Sequence, residues 1–223
     1  MTLALDGGPG RDRAYDRQDR RELLRLLSGR SLRVLDLGCA SGTAGAELKA
    51  RGTASVVHGV ELRPDLAAEA ERRIDRVWRA DLETLEADDL DPPYDALVAA
   101  DVLEHLRDPW SVLRRLSAAL AGGAQLVASI PNVRYLPVVA DLAVRGRFEY
   151  RPEGVLDRTH LRFFTRRSIH QLLGDAGFVG VDLDGRPLSR RWKRLLAEPL
   201  GDLGVRQFLI RARLGPPAAS TGP

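Results

Sequence analysis

Arg33-Val34-Leu35-Asp36-Leu37-Gly38-Cys39-Ala40-Ser41-Gly42-Thr43 decides how the rest of the chain is read. Val34, Leu35 and Leu37 make a short apolar run expected to be a buried strand, and the glycines after it mark a tight turn. A helix is expected from Thr43 to about Arg51, with Gly52 as its C-cap. Glycines at a strand-to-helix turn let another group come close to the backbone. In doubly wound sheets that turn borders the crevice where ligands bind. By itself the turn is weak evidence, and its weight comes from the segments around it.

Roughly 20 residues on, a second apolar strand from Ser55 to Val60 ends in Glu61. An acidic residue at that distance suits a pair of ribose hydroxyls. The turn lacks the G-x-G-x-x-G spacing that seats a pyrophosphate, so a dinucleotide is not indicated. Before the turn, Ala14 to Ser28 reads as an amphipathic helix through Leu23, Leu24 and Leu27, stopped at Gly29. After it, Arg63-Pro64-Asp65 opens a helix with Leu66, Ala70 and Ile74 on one face. A short third strand, Arg76 to Arg79, leads into Asp81-Leu82, and Tyr94 to Ala100 is a buried fourth strand. Asp108-Pro109 is an N-cap with proline at N1, opening a helix that Trp110, Leu113, Leu116 and Leu120 carry to Gly122-Gly123. A fifth strand runs from Ala124 to Ser129 and ends at Ile130-Pro131-Asn132. Strands alternating with helices predict an α/β fold, a Rossmann-like, doubly wound and mostly parallel sheet.

The pattern then changes. Val133 to Val144 reads as helix, but residues 145–164 fit neither period, and a segment this long is expected to be a lid rather than a plain connector. Thr165 caps a further helix through Ile169, Leu172, Leu173 and Ala176. Val179 to Leu183 and Gln207 to Ala212 read as the last two strands, with a basic helix around Trp192 between Arg190 and Leu200. One domain is expected over residues 14–213, with tails at 1–13 and 214–223.

Composition narrows the class. The 223 residues carry 34 basic and 31 acidic side chains, a formal charge of +3, too slight to indicate a nucleic-acid binder. A single cysteine, Cys39, excludes an intrachain disulfide and a cysteine metal cluster. No apolar run approaches a membrane span, and the acidic start does not resemble a signal peptide, so a cytoplasmic protein without stable membrane insertion is expected. No set of His, Cys and carboxylates has metal-ligand spacing, so no metal is expected.

Asp36-Leu37-Gly38-Cys39-Ala40-Ser41-Gly42 resembles the first motif of class I S-adenosylmethionine (SAM)-dependent methyltransferases. The segment from Tyr94-Asp95 through Asp101-Val102-Leu103-Glu104-His105-Leu106 resembles their fourth, and Gly122-Gly123 before a strand their fifth. The run Leu156-Asp157-Arg158-Thr159-His160-Leu161-Arg162-Phe163-Phe164-Thr165 is similar to a subgroup containing ubiquinone-pathway O-methyltransferases and methyltransferases of bacterial polysaccharide clusters. The resemblance covers roughly residues 20–213 and implies a seven-stranded sheet with an antiparallel last strand. It implies SAM as cofactor, with S-adenosylhomocysteine as product. Ala40 departs from the pattern, where the family usually has glycine.

On this resemblance the cofactor residues are Asp36, Gly38, Cys39, Ala40, Gly42, Glu61, Leu62, Asp81, Leu82, Asp101 and Val102. Backbone N–H groups at the turn would take the SAM carboxylate. Asp36 would hold the ammonium and Glu61 the ribose, while Asp81 would meet the adenine edge or simply cap a helix. Asp101 would face the sulfonium or cap Leu103-Glu104. His105 and His160 are the candidate general bases, since imidazole titrates near neutral pH. His105 reads equally as a packing residue, and Asp157-x-Thr159-His160 as a polar knot that shapes the lid. Asn132, Arg147, Tyr150, Thr159 and Arg162 are the candidate acceptor contacts, in a cationic and aromatic pocket or on a solvated arginine face.

The leading expectation is O-methylation of a small molecule or glycan intermediate by a monomer or homodimer. The alternatives are N- or C-methylation of a quinone, phenol or other metabolite, and a non-catalytic SAM-binding regulatory subunit.

Overall fold

The computed structural model describes residues 21–187 and 201–216. Seven strands, β1 (Leu32–Leu37), β2 (Ala54–Val60), β3 (Arg76–Trp78), β4 (Tyr94–Ala100), β5 (Leu120–Pro131), β6 (Phe178–Pro187) and β7 (Val205–Leu214), form one sheet. Their order is β3-β2-β1-β4-β5-β7-β6. β1 to β5 run parallel, and β7 is antiparallel to both its neighbours. The Rossmann-like, mostly parallel sheet with an antiparallel last strand is therefore as expected.

β1 and β4 are apolar along almost their whole length because both faces of a parallel sheet are covered. Val34 faces one layer, with Leu23, Leu24, Leu48 and Ile74. Leu35 and Leu37 face the other, with Leu113, Leu116, Ile169 and Leu172. The helices behind these contacts are α1 (Thr43–Ala50), α2 (Pro64–Ala70), α3 (Pro109–Ser117) and α5 (Arg166–Asp175). α4 (Leu136–Arg145) differs from them in having no buried residue. The strand order reverses between β1 and β4, so a crevice opens at the C-terminal ends of those two strands.

Several boundaries differ from the sequence reading. Of the expected first helix, the described part is helical over 21–24, and the chain turns at 25–26 rather than near Ser28, with Leu23, Leu24 and Leu27 still buried. α3 stops at Ser117, and Leu120–Gly123 belong to β5 rather than to the helix end. Tyr94 N–H donates to the Ala119 carbonyl at 3.0 Å and Leu120 pairs with Tyr94, so sheet pairing wins over helix continuation. β6 and β7 extend beyond the expected strands on both sides, because each ladders along the other for most of its length. The expected basic helix around Trp192 lies outside the described residues, as do most of both tails. No described helix is long and apolar enough to cross a membrane.

Candidate active site at the β1–β4 edge

The glycine turn is a left-handed staircase. Gly38, Ala40 and Gly42 have φ of 60°, 48° and 75°. Glycine holds such angles freely, whereas Ala40 does so at a steric cost. A Cβ on Gly38 would come within 2.8 Å of Val102 Cγ2, and one on Gly42 within 2.9 Å of the Ala70 Cα. The turn is thus closed on one side by the end of β4 and on the other by α2. No side chain caps α1, and its first turn holds no acidic residue. That leaves a helix N-terminus turned toward the turn, where a carboxylate is favoured.

Glu61 is tied to this turn directly. Its Oε2 accepts from Ala40 N–H at 2.9 Å and its Oε1 from Arg63 N–H at 2.8 Å, which locks the end of β2 against the bend. Each carboxylate oxygen keeps a further lone pair. Asp36 is buried at the end of β1, 2% exposed. Cys39 is buried, its N–H donating to the Val60 carbonyl, and Leu62 is exposed. Asp81 follows β3 on the same sheet edge, and its Oδ1 accepts from Glu83 N–H at 2.9 Å, which closes a turn rather than opening a helix. Leu82 is buried beside it and its carbonyl accepts from Arg115.

At the end of β4, Asp101 sits in a left-handed conformation with φ of 55°. Its Oδ1 accepts from Ser129 Oγ at 2.8 Å and from Gln207 Nε2, so β5 and β7 hold the carboxylate in place. Neither partner stood out in the sequence, since each lies inside a strand far from Asp101 along the chain.

Beyond Asp101 a short 3-10 turn, Leu103–His105, brings three groups together. Glu104 is 1% exposed, and neither of its carboxylate oxygens meets a hydrogen-bond donor among the described residues. Burial pushes its carboxyl well above the usual range, and the charge of Asp101 adds to this. The His105 and His160 rings meet edge to face with centroids 4.8 Å apart. His105 Nδ1 lies 3.2 Å from the Thr159 carbonyl and His160 Nδ1 3.1 Å from the Val155 carbonyl. A carbonyl only accepts, so both Nδ1 atoms carry the proton and both Nε2 atoms offer a lone pair. Burial lowers both imidazole pKa values, and for His105 the neighbouring His160 lowers it further. The sequence reading named the two histidines separately. Their contact and the role of Glu104 were not visible in it, since the residues lie over 50 positions apart.

The 145–164 segment is stitched to β4 through the Glu104 carbonyl, which accepts from Leu161 N–H at 2.8 Å and Arg162 N–H at 3.0 Å. Thr159 is engaged inside the segment, its N–H and Oγ1 donating to Asp157 Oδ1 at 2.8 and 2.6 Å, the polar knot that was one of two readings. Arg162 donates to the Arg107 carbonyl and lies over the Trp110 ring. Asn132 is fully buried, and its Nδ2 donates to the Asp202 and Val205 carbonyls at 2.7 and 2.8 Å, so this amide works inside the fold. Tyr150 is 55% exposed and forms a ring cluster with Phe148 and Phe163. Arg147 lines an open groove of about 200 Å³ between α4 and the 147–156 stretch, together with Tyr135, Arg151, Val155 and Arg206. Val155, whose carbonyl orients His160, also lines that groove.

Residues 11–183 match a family model described as a methyltransferase domain. The chain belongs to the class I SAM-dependent methyltransferases. It is 36% identical over 112 residues to trans-aconitate 2-methyltransferase of Methylobacterium nodulans, covering 49% of this chain and 42% of the relative. It is 32% identical over 179 residues to the ubiquinone biosynthesis O-methyltransferase of Dinoroseobacter shibae, covering 73% and 67%. The chain thus spans less than half the length of the first relative and about two thirds of the second. Among solved structures, a SAM-dependent methyltransferase from Archaeoglobus fulgidus has the same fold, with a TM-score of 0.63 at 20% identity over 87% of this chain and 91% of that one. This methyltransferase therefore uses SAM as cofactor, and the uncapped helix, the crowded glycine turn and the two acids on one edge fit such a ligand.

Proposed function

We propose that this enzyme methylates a hydroxyl of a small-molecule or glycan-intermediate acceptor, with the acceptor entering beside Glu104, His105 and His160. The observation that carries this reading is the imidazole pair at the end of β4, next to the turn on which Val102 packs. When bound, SAM supplies a methyl group already activated by its sulfonium. In this reading the turn and the start of α1 take the amino-acid carboxylate, Asp36 the ammonium, and Glu61 the ribose hydroxyls. Asp81 and Leu82 border the adenine. Asp101, fixed by Ser129 and Gln207, lies where the methyl group has to point.

The chain's own part in the chemistry is alignment and proton removal. Holding acceptor and methyl group in line, with water excluded, supplies much of the rate. A hydroxyl must also lose its proton, worth roughly 10²–10⁴-fold when a base is well placed. Both imidazoles are neutral at physiological pH because burial lowers their pKa values, and each presents Nε2 as a proton acceptor. Tyr150 and Arg147 offer a ring face and a guanidinium to the rest of the acceptor, which suits a ring bearing anionic or hydroxyl groups.

Release of S-adenosylhomocysteine, followed across a panel of phenolic and sugar acceptors, tests the assignment. His160→Asn and His105→Asn are expected to cut turnover at least 100-fold while the SAM dissociation constant stays within about twofold. Unchanged turnover in both variants would remove hydroxyl activation from this cluster and favour methylation of nitrogen or carbon.

A further inference from the structure

We propose that Glu104, His105 and His160 form a binding site for one divalent transition-metal ion of the zinc or manganese type. The sequence spacing alone gives no hint of it, because two of the ligands are adjacent and the third comes from the 145–164 segment. Folding closes that distance, and one ligand atom from each of the three residues lies within 4.8 Å of the others. Ligands on one tetrahedral ion at about 2.1 Å stand about 3.4 Å apart, so side-chain shifts of up to about 0.7 Å at each end complete the set.

Three independent features point to a cation. First, Glu104 is a 1% exposed carboxylate whose oxygens meet no donor among the described residues. A buried charge without a partner is costly, so the site calls for a positive ion or a proton. Second, Asp101 and Asp157 both act on Glu104 electrostatically, which makes the surroundings more negative still. Third, both imidazoles are fixed through Nδ1 to main-chain carbonyls, the outer arrangement that orients metal-bound histidines and leaves Nε2 for the ion. Two imidazoles and one carboxylate favour zinc, manganese or iron(II) over magnesium or calcium, which prefer all-oxygen shells.

Three protein ligands leave at least one position open, as in catalytic rather than structural sites. The role follows from the reading of this cluster as the group that activates the acceptor, and it replaces the imidazole as proton acceptor in the loaded enzyme. An acceptor hydroxyl on the open position becomes more acidic and gives its proton to solvent. The oxygen's lone pair then forms the bond to the methyl carbon of SAM, and the electron pair of the broken carbon–sulfur bond stays on sulfur.

The experiment uses the full chain without a histidine tag, stripped with chelator, in calorimetric titrations with Zn²⁺, Mn²⁺ and Mg²⁺. One equivalent of Zn²⁺ or Mn²⁺ is expected to bind, with Mg²⁺ at least tenfold weaker. Glu104→Gln and His160→Asn are each expected to weaken Zn²⁺ binding at least tenfold, and Zn²⁺ should raise the Tm of the wild type but not of Glu104→Gln. The Gln variant removes a buried charge without changing shape, so it folds even if His160→Asn does not. No stoichiometric binding, or equal binding by Glu104→Gln, would overturn the site. A SAM titration on the same samples separates the two readings: SAM binding without zinc binding rejects only the metal site, whereas a wild type that binds neither counts against the cofactor site as well.

Discussion

Two stretches of one sheet edge do their work by different means. Around β1 and β2 the site is made largely of main chain: three left-handed residues at alternate positions, an uncapped helix start, and Glu61 gripping the amide of Ala40 from 21 positions away. Around β4 it is made of side chains gathered from afar. His105 reaches Thr159 across 54 positions, and Asp101 is held by Gln207 across 106. The first region admits almost no change of shape, since a Cβ at Gly38 or Gly42 has nowhere to go. The second is flanked by α4, which has no fully buried residue, and by exposed rings at Phe148 and Tyr150. In the proposed reading, a fixed cofactor in the first and the acceptor in the second account for that division.

The largest effect that sharpens the contrast comes from Gly42→Val. Its φ of 75° strains any branched side chain by about 1–2 kcal/mol, and the added atoms meet the Ala70 backbone. SAM affinity should fall at least 100-fold by calorimetry, with Tm lowered. A variant that binds SAM normally would mean that the turn is not a tight cradle.

In the proposed acceptor region the expected loss is smaller and of another kind. Tyr150→Ala removes one member of an exposed ring cluster, so KM for the acceptor should rise several-fold, equivalent to about 1 kcal/mol. SAM affinity and Tm should stay as in the wild type. A loss of SAM binding on this substitution would erase the division between the two regions.

The smallest effect concerns pH. His58 lies within β2, buried, with Nδ1 2.9 Å from the Tyr94 hydroxyl, and burial, aided by Arg33, lowers its pKa. The folded state therefore prefers neutral His58. Its contribution to stability is complete above the unfolded value near 6.5 and is lost as pH falls through it toward the folded value. Tm should decline between pH 7.5 and 5.5, and His58→Gln should decline less steeply. Equal slopes would show that His58 does not link the cofactor strand to pH.

The same division explains what could be read from the sequence. β1, its turn, β2 and Glu61 are local and periodic, so apolar runs, glycines and a spacing located them. Asp101 was found from its place after an apolar strand, but its partners Ser129 and Gln207 were not, because nothing local marks an inward-facing polar residue within a strand. Leu120–Gly123 read as a helix end because a glycine pair is ambiguous until Tyr94 is known to pair there. Asn132 and Thr159 read as acceptor contacts, yet the fold engages both in holding its own loops. Glu104 was read only as part of a motif and given no site role, since burial of a carboxylate is a tertiary fact.

The most direct test of the account is SAM titration of Glu61→Gln beside the wild type. Glu61 holds one oxygen on the Ala40 N–H of the turn and the other on the Arg63 N–H just after β2, and a neutral amide of the same shape loses one acceptor and the charge. Charged hydrogen bonds of this kind are worth about 1.5–3 kcal/mol. The account predicts one SAM per wild-type chain and an affinity at least tenfold weaker in Glu61→Gln, with the chain still folded. A folded Glu61→Gln variant that binds SAM as tightly as the wild type would contradict it.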